Sequence, residues 1–351
     1  MEAVAAVEHF FTTSTFLTAF MSKTKKTRPH VECPPRMSST LYSHLSRYSP
    51  ADWAAAVDTL SASVHPIDKD ATKIWFTFFP LGLHLTMAAA EDEVAVARQL
   101  RLQGRWRLVD QIDTSHKFLF AHRYWPQAKL AVQNATGPFP DSLPALVSAI
   151  ADAASRTARL DREFLIGICA VALMTLRQVG PDALVASPGG VHLPEEIRAL
   201  SAHQVLKARV RDDSQGMLGF LRGNRKEWTV TFDETDPTAA FTVINDEEIA
   251  SAAKRDQRDH RSRDPRCTPG EGPIPVECRA ASCGTCWVGV LGGAEKLSPV
   301  NERDERKRML VFGYIDTTEA RPIIRLACQA KAFGAVSVVI PPWNGFLSKQ
   351  A

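Results

Sequence analysis

Apolar residues recur at helical spacing through most of the first two-thirds of the chain. Ser49-Pro50-Ala51-Asp52 offers an N-cap, a proline at the first helical position and an acid in the first turn, and Trp53, Val57 and Leu60 follow on one face, so a helix starts there. The same signals predict helices over Glu91 to Gln103 before Gly104, Ser142 to Thr157, Asp161 to Val179 before Gly180, and Pro194 to Arg209. Residues 74–90 are nearly uncharged and close to spanning length, but Pro80, Gly82 and His84 interrupt them, and they read as a buried core segment. Phe164 to Leu176 is too short to span and reads as a buried helix, so no stable membrane span is expected.

The pattern changes over residues 211–225, where glycine and charge break the helical period and mark a linker. Beyond it, Trp228 to Phe232 and Ala240 to Ile244 are short runs of β-branched and aromatic residues that predict a hairpin, followed by a short helix over Glu247 to Lys254. Residues 254–273 hold six basic and four acidic side chains with three prolines, and read as a solvated loop. Trp287 to Leu291 and Val336 to Ile340 predict further strands, with a charged helix near Asn301 to Phe312 and an apolar segment over Ile323 to Ala327 between them. The expected fold class is α+β: a leader over 1–45, an all-α helical domain over 46–210, a linker over 211–225 and a strand-rich domain over 226–345.

Composition narrows the function classes. Lysine and arginine number 42 against 39 acids, a formal charge of +3 spread over 351 residues, and this gives no electrostatic footprint for nucleic acid. Seven cysteines are far too few for a disulfide scaffold, and an odd count fits reduced thiols or metal ligation. The N-terminal stretch places two glutamates before its apolar residues and the basic cluster after them, the reverse of a secretory signal, so a cytoplasmic protein is expected.

Four cysteines carry the chemistry: Cys278, Cys283 and Cys286 in C-x4-C-x2-C spacing, and the distant Cys328. Two ferric ions bridged by two sulfides need four soft thiolates, and a folded loop can supply three of them from closely spaced positions. The residues between them, Arg279-Ala280-Ala281-Ser282 and Gly284-Thr285, include small ones whose backbone N–H groups can approach the sulfurs. A four-thiolate zinc site is the alternative, but zinc ribbons favour two short C-x2-C knuckles and only one occurs here.

VECRAASCGTCWVGV closely resembles the cluster loop of plant-type 2Fe-2S ferredoxins, and LACQAKAFGAVSVVIPP resembles their closing segment. The resemblance covers about residues 226–342 and implies a β-grasp domain and a 2Fe-2S cluster, with Cys278 and Cys283 on one iron and Cys286 and Cys328 on the other. Two departures are visible: 41 residues separate Cys286 from Cys328, more than is usual in the family, and the polar loop 254–273 is longer than in many members. Loop closure costs grow only logarithmically with length, so the longer gap is tolerable. Cys267 reads as a bystander thiol, Cys169 as a small hydrophobe and Cys33 as unimportant.

The helical region resembles no recognised family. Its most distinctive stretch, residues 113–125, concentrates aromatics with His116 and His122; on an unbroken helix these two lie about 240° apart, so a joint site would need a third element such as His84. Core or interface packing is the favoured reading for this stretch. No phosphate loop, nucleophile elbow, HExxH or dinucleotide fingerprint appears. The expected function is one-electron transfer by a carrier whose helical domain docks redox partner proteins, a reductase or an oxidoreductase, or supports a homodimer. Residues 226–351 carry 17 basic and 18 acidic side chains, so steering must depend on local patches. Two alternatives are an oxidoreductase component whose helical domain binds a substrate or second cofactor, and a cluster-based redox-responsive interaction protein.

Overall fold

The computed structural model describes residues 39–211, 226–312 and 318–345. The expectations placed on residues 1–38, Cys33 among them, and on linker residues 212–225 lie outside the described residues.

Helices form where caps and apolar stripes coincide. The Ser49 hydroxyl accepts from Asp52 N while the Asp52 carboxylate accepts from Ser49 N, a capping box that starts α2 (Pro50–Leu60). Ser142 caps α7 (Leu143–Ala158), which buries Leu143, Leu146, Val147 and Ile150. The central helix is α8 (Glu163–Ala186), buried without interruption from Leu165 to Arg177 by α1 (Ser39–Leu45), α3 (Pro66–Phe78), α6 (Trp125–Gln133) and α7. With neighbours all round it has no face to present to water, which is why its sequence is apolar throughout. It is long and apolar enough to cross a membrane, and 72% of its apolar window is buried inside the protein. Its first stretch ends at Gly180, whose φ of 80° leaves helical geometry just before Pro181.

Three boundaries differ from expectation. Helix α1 occupies the end of the stretch read as leader, because Leu41 and Leu45 are buried in the core. Helix α5 (Glu93–Gln99) stops short of Gln103, and the chain turns left-handed at Arg101. The helix expected over Pro194 to Arg209 divides into α9 (Glu195–Ala199) and α10 (Ala202–Val210), because Leu200 is extended and Ser201 opens a second capping box with Gln204.

The strands build a mixed five-stranded sheet in the order β3-β2-β8-β5-β6. β2 (Glu227–Thr231) pairs antiparallel with β3 (Ala240–Ile244) and parallel with β8 (Val336–Val339), while β5 (Trp287–Gly292) pairs antiparallel with β8 and with β6 (Ile324–Leu326). In β2, Trp228 and Val230 are buried and Glu227 and Thr229 exposed, the alternation of a one-sided strand. β5 is buried at every position from Trp287 to Leu291, because helix α3 covers it directly. The approach is close: a Cβ on Gly289 would sit 2.6 Å from Ile74 Cγ2. Trp53, Trp75, Trp125 and Ile168 of the helical region share one hydrophobic cluster with Val230, Val288, Val290 and Val338 of the sheet, so the two regions read as separate domains build a common core.

The polar stretch after α11 (Ile249–Ala253) is a mostly exposed loop, as expected, and it is tethered as well. It runs along β3, an edge strand. Arg258 donates to Thr238 O at 2.6 Å and Ala240 O at 2.9 Å, and Arg255 to Thr242 O at 3.0 Å, covering carbonyls that the sheet leaves open. Asp256, Asp259 and Asp264 each bind the arginine two residues on, Arg258, Arg261 and Arg266, so these charges cancel locally.

Candidate metal centre

The loop between α11 and β5 brings Cys278, Cys283 and Cys286 together, and the turn after β6 adds Cys328. Arg279, Ala281 and Gly284 have φ of 55°, 56° and 69°. Left-handed residues spaced in this way turn successive N–H groups to one side of the chain, as in an anion-binding nest. The Cys278 Sγ accordingly accepts from Ala280 N at 3.4 Å and from Ser282 N and Cys283 N at 3.3 Å. Burial opposes ionisation of the Cys278 thiol, but the donors from Ser282, Ala280 and Cys283 outweigh it and lower its pKa to about 6. Thr285 braces the loop: its hydroxyl accepts from Glu277 N at 3.1 Å and lies 3.1 Å from Cys283 Sγ.

The second pair is more deeply placed. Cys286 and Cys328 are buried and hydrogen-bonded to one another; that bond lowers the Cys328 pKa to about 7 and raises that of Cys286. Ala327 N donates to Cys286 O at 2.9 Å, fastening the strand before Cys328 to the loop, and Ala250 N at the start of α11 donates to Ala327 O at 2.9 Å. The thiols thus form an outer pair, Cys278 with Cys283, and an inner pair, Cys286 with Cys328. Among the described residues no three His, Cys, Asp or Glu side chains gather around a single ion. Two thiol pairs surrounded by inward N–H donors suit a dinuclear, anionic cluster, and these four residues could hold one.

Several supporting residues escaped the sequence. Within the long gap, α12 (Glu305–Phe312) carries Glu305, whose carboxylate accepts from Arg325 Nε at 2.8 Å, Arg325 Nη2 at 3.0 Å and Leu326 N at 2.9 Å. Both side chains of this ion pair are fully buried, and they brace β6 three residues before Cys328. The only signal was an acid in an otherwise basic helix. From the helical region, β1 (Gln103–Gly104) pairs with β9 (Trp343–Asn344), and Gln103 Nε2 donates to Glu277 Oε1 at 3.3 Å, next to Cys278. No local pattern announced this contact.

The histidines depart from expectation. The chain from Ile112 to Tyr124 is a series of turns ending in a 3-10 turn over Phe120–Tyr124, not a continuous helix, and it brings His116 Nδ1 to 2.9 Å from His122 Nδ1. His116 is fully buried, packs on Trp125 at 4.0 Å between ring centroids and leaves its Nε2 without a partner. Burial, aided by the neighbouring Lys117 charge, holds the His122 pKa down to about 4; burial and His122 hold His116 well below the usual range. His84 instead lines a separate cavity with Phe79, Met87 and Trp106, in which neither His116 nor His122 takes part. Cys169 lies inside α8, and the Cys267 thiol, buried and donating to Pro273 O at 3.2 Å, has its pKa raised to about 12.

Comparison with known proteins gives one match. Residues 269–333, which include all four clustered cysteines, match the 2Fe-2S iron-sulfur cluster binding domain, a domain that binds a 2Fe-2S cluster. No curated protein and no solved structure matches the chain.

Proposed function

We propose that this iron-sulfur protein is a one-electron carrier in which Cys278 and Cys283 ligate one iron and Cys286 and Cys328 the other. The observation that carries the reading is the Cys278 sulfur, which receives three backbone N–H groups from a loop held in left-handed geometry. Such donors stabilise added negative charge and tune a reduction potential. The strand order β3-β2-β8-β5-β6, with β2 and β8 parallel, supports a β-grasp arrangement. When bound, the cluster takes up and releases a single electron. The chain orients the thiolates, supplies N–H donors and shields the inner pair from water, while Cys278 and Cys283 remain half-exposed and mark the side through which an electron leaves.

Docking through the helical region is supported by the Gln103 contact beside Cys278 and by the β1–β9 pairing. The test is stopped-flow reoxidation of the dithionite-reduced protein by a one-electron dye. Wild type should deliver one electron per chain, whereas Cys278→Ser and Cys328→Ser should lose the visible cluster bands and the fast phase. A wild-type protein that delivers no electron to any acceptor would overturn the reading.

A further inference from the structure

We infer that the protein carries a second binding site, for a neutral and largely apolar small molecule, in a cavity where the helical region meets the strand-rich one. The cavity holds about 360 Å³, within the size range of small-molecule sites, which favour the seams between regions of a fold. Its floor is the face of β2 and β8 that carries Thr229, Thr231 and Ser337, and its walls are the turns around Phe118 and Phe120, the approach to α9, and α10. Val339, two residues on from Ser337, faces the same way and meets Gly289 where α3 presses on the sheet. The cavity opens where that cover ends.

Apolar side chains that no core uses set the character of the walls. Leu193, Ile197, Leu200 and Val205 are half-buried and belong to neither hydrophobic cluster of the described residues, yet with Phe118 and Phe120 they all line this one cavity. Convergence on one space distinguishes them from apolar residues scattered singly over a surface, and an apolar ligand would take their remaining area out of water. The walls are also held in place. Arg123 donates to Arg198 O at 3.1 Å and Leu200 O at 3.0 Å, fastening the end of α9, and Lys296 Nζ donates to Val210 O at 3.1 Å, fastening α10 to the strand-rich region.

The charges decide the class of ligand. Lys117 lies 3.4 Å from Asp233, and Arg209 holds Glu234 through Nε at 2.7 Å and Nη2 at 2.8 Å, with Ser337 Oγ donating to the same carboxylate at 2.6 Å. Arg123 directs its donors to carbonyls and lies 3.7 Å over the Phe120 ring, while the buried Asp68 carboxylate accepts from Phe120 N and Ala121 N of the same turn. Arg211 has a partner as well. Lys117, Arg123 and Arg209 are thus matched by Asp233, Asp68 and Glu234, and an ionised ligand would enter uncompensated. What is left over is neutral: among the described residues the hydroxyls of Thr229 and Thr231 have no hydrogen-bond partner, so they can serve one polar group on the ligand. The site does not rest on the carrier reading. From Trp287, beside Cys286, to Gly292, opposite Ser337, β5 advances five residues, about 17 Å at about 3.3 Å each, so the ligand does not touch the cysteines.

The experiment is equilibrium dialysis of the full chain with its cluster, at neutral pH, against 1-naphthol, which is uncharged, and 1-naphthoate, an anion of similar size. Wild type should bind 1-naphthol saturably at one per chain, and 1-naphthoate at least about tenfold more weakly. Ala208→Trp on the α10 wall and Thr229→Trp on the floor, both at exposed positions, fill the space and should each weaken 1-naphthol about tenfold or more while the visible cluster bands stay unchanged. Leu130→Trp, exposed on α6 and outside the cavity, should leave the affinity as it is. No saturable binding of 1-naphthol, naphthoate bound as tightly, or binding that survives both filling variants overturns the site while leaving the carrier intact. A chain that binds 1-naphthol as stated yet delivers no electron to any acceptor overturns the carrier reading and supports the site.

Discussion

Replacing Glu305 by glutamine should destabilise the cluster-bearing strand far more than its surface-like sequence context suggests. Glu305 and Arg325 are both fully inaccessible, and the carboxylate also accepts from Leu326 N. Glutamine keeps the shape but turns an amide N–H₂ or a neutral oxygen toward a guanidinium whose remaining acceptor among the described residues is Ser298 O. Removing one partner of a buried pair leaves an uncompensated charge and costs about 3–5 kcal/mol, a large part of the roughly 5–15 kcal/mol by which domains are stable. Because β6 leads directly into Cys328, the loss should appear as faster cluster release. If it falls wholly on the unfolding barrier, about 3 kcal/mol shortens the half-life of cluster absorbance in fixed urea by about a hundredfold. Arg325→Met should behave similarly, and Glu305→Leu with Arg325→Met should lose clearly less than the two single changes together, since no charge is then stranded. A half-life for Glu305→Gln within about threefold of wild type, less than about 1 kcal/mol, would refute the reasoning.

Other consequences are equally specific. The His122 pKa is depressed to about 4, so between about 6.5 and 4 the unfolded chain binds the proton that the folded chain refuses, and stability is lost as pH falls through that window, by about 3 kcal/mol for this group. Asp68, whose pKa is raised to about 6 by burial, acts oppositely and gains stability as pH falls from about 6 toward 3.8. Urea midpoints followed by far-UV circular dichroism should therefore show a shallower acid limb in His122→Phe and a steeper one in Asp68→Asn; no change in either slope counts against both assignments. Gly289→Val should cost about 1–3 kcal/mol by overpacking against Ile74 and Val339, measured as a lowered melting temperature, and an unchanged melt would mean α3 does not press on β5. Cys267→Ser should retain full iron content, because that thiol is buried and protonated away from the cysteine pairs.

The cluster loop was legible because its chemistry restricts both spacing and composition: C-x4-C-x2-C with small residues between leaves few other readings. The hairpin of β2 and β3 was legible from alternation, and α2 and α7 from their serine caps. What escaped was set by contacts remote in sequence. His116 and His122 meet because turns replace the helix that their spacing was measured on, and helical geometry cannot report a departure from itself. The break between α9 and α10 was written in Ser201 and Gln204 but overshadowed by the apolar period running through it. The polar loop is exposed, as its composition indicates, but composition counts charges without pairing them, and so it shows neither the bond from each aspartate to the arginine two residues on nor the hold of Arg258 on the open edge of β3. Gln103 beside Glu277 spans 174 positions, a distance over which no local pattern carries information.

The central claim is best tested by low-temperature EPR of the anaerobically purified full chain before and after dithionite, with iron and sulfide quantified on the same sample. The account predicts silence as isolated, a rhombic mixed-valence signal on reduction, two irons and two sulfides per chain, and loss of all three in Cys278→Ser. A spectrum silent in both states from a chain carrying stoichiometric zinc would contradict it.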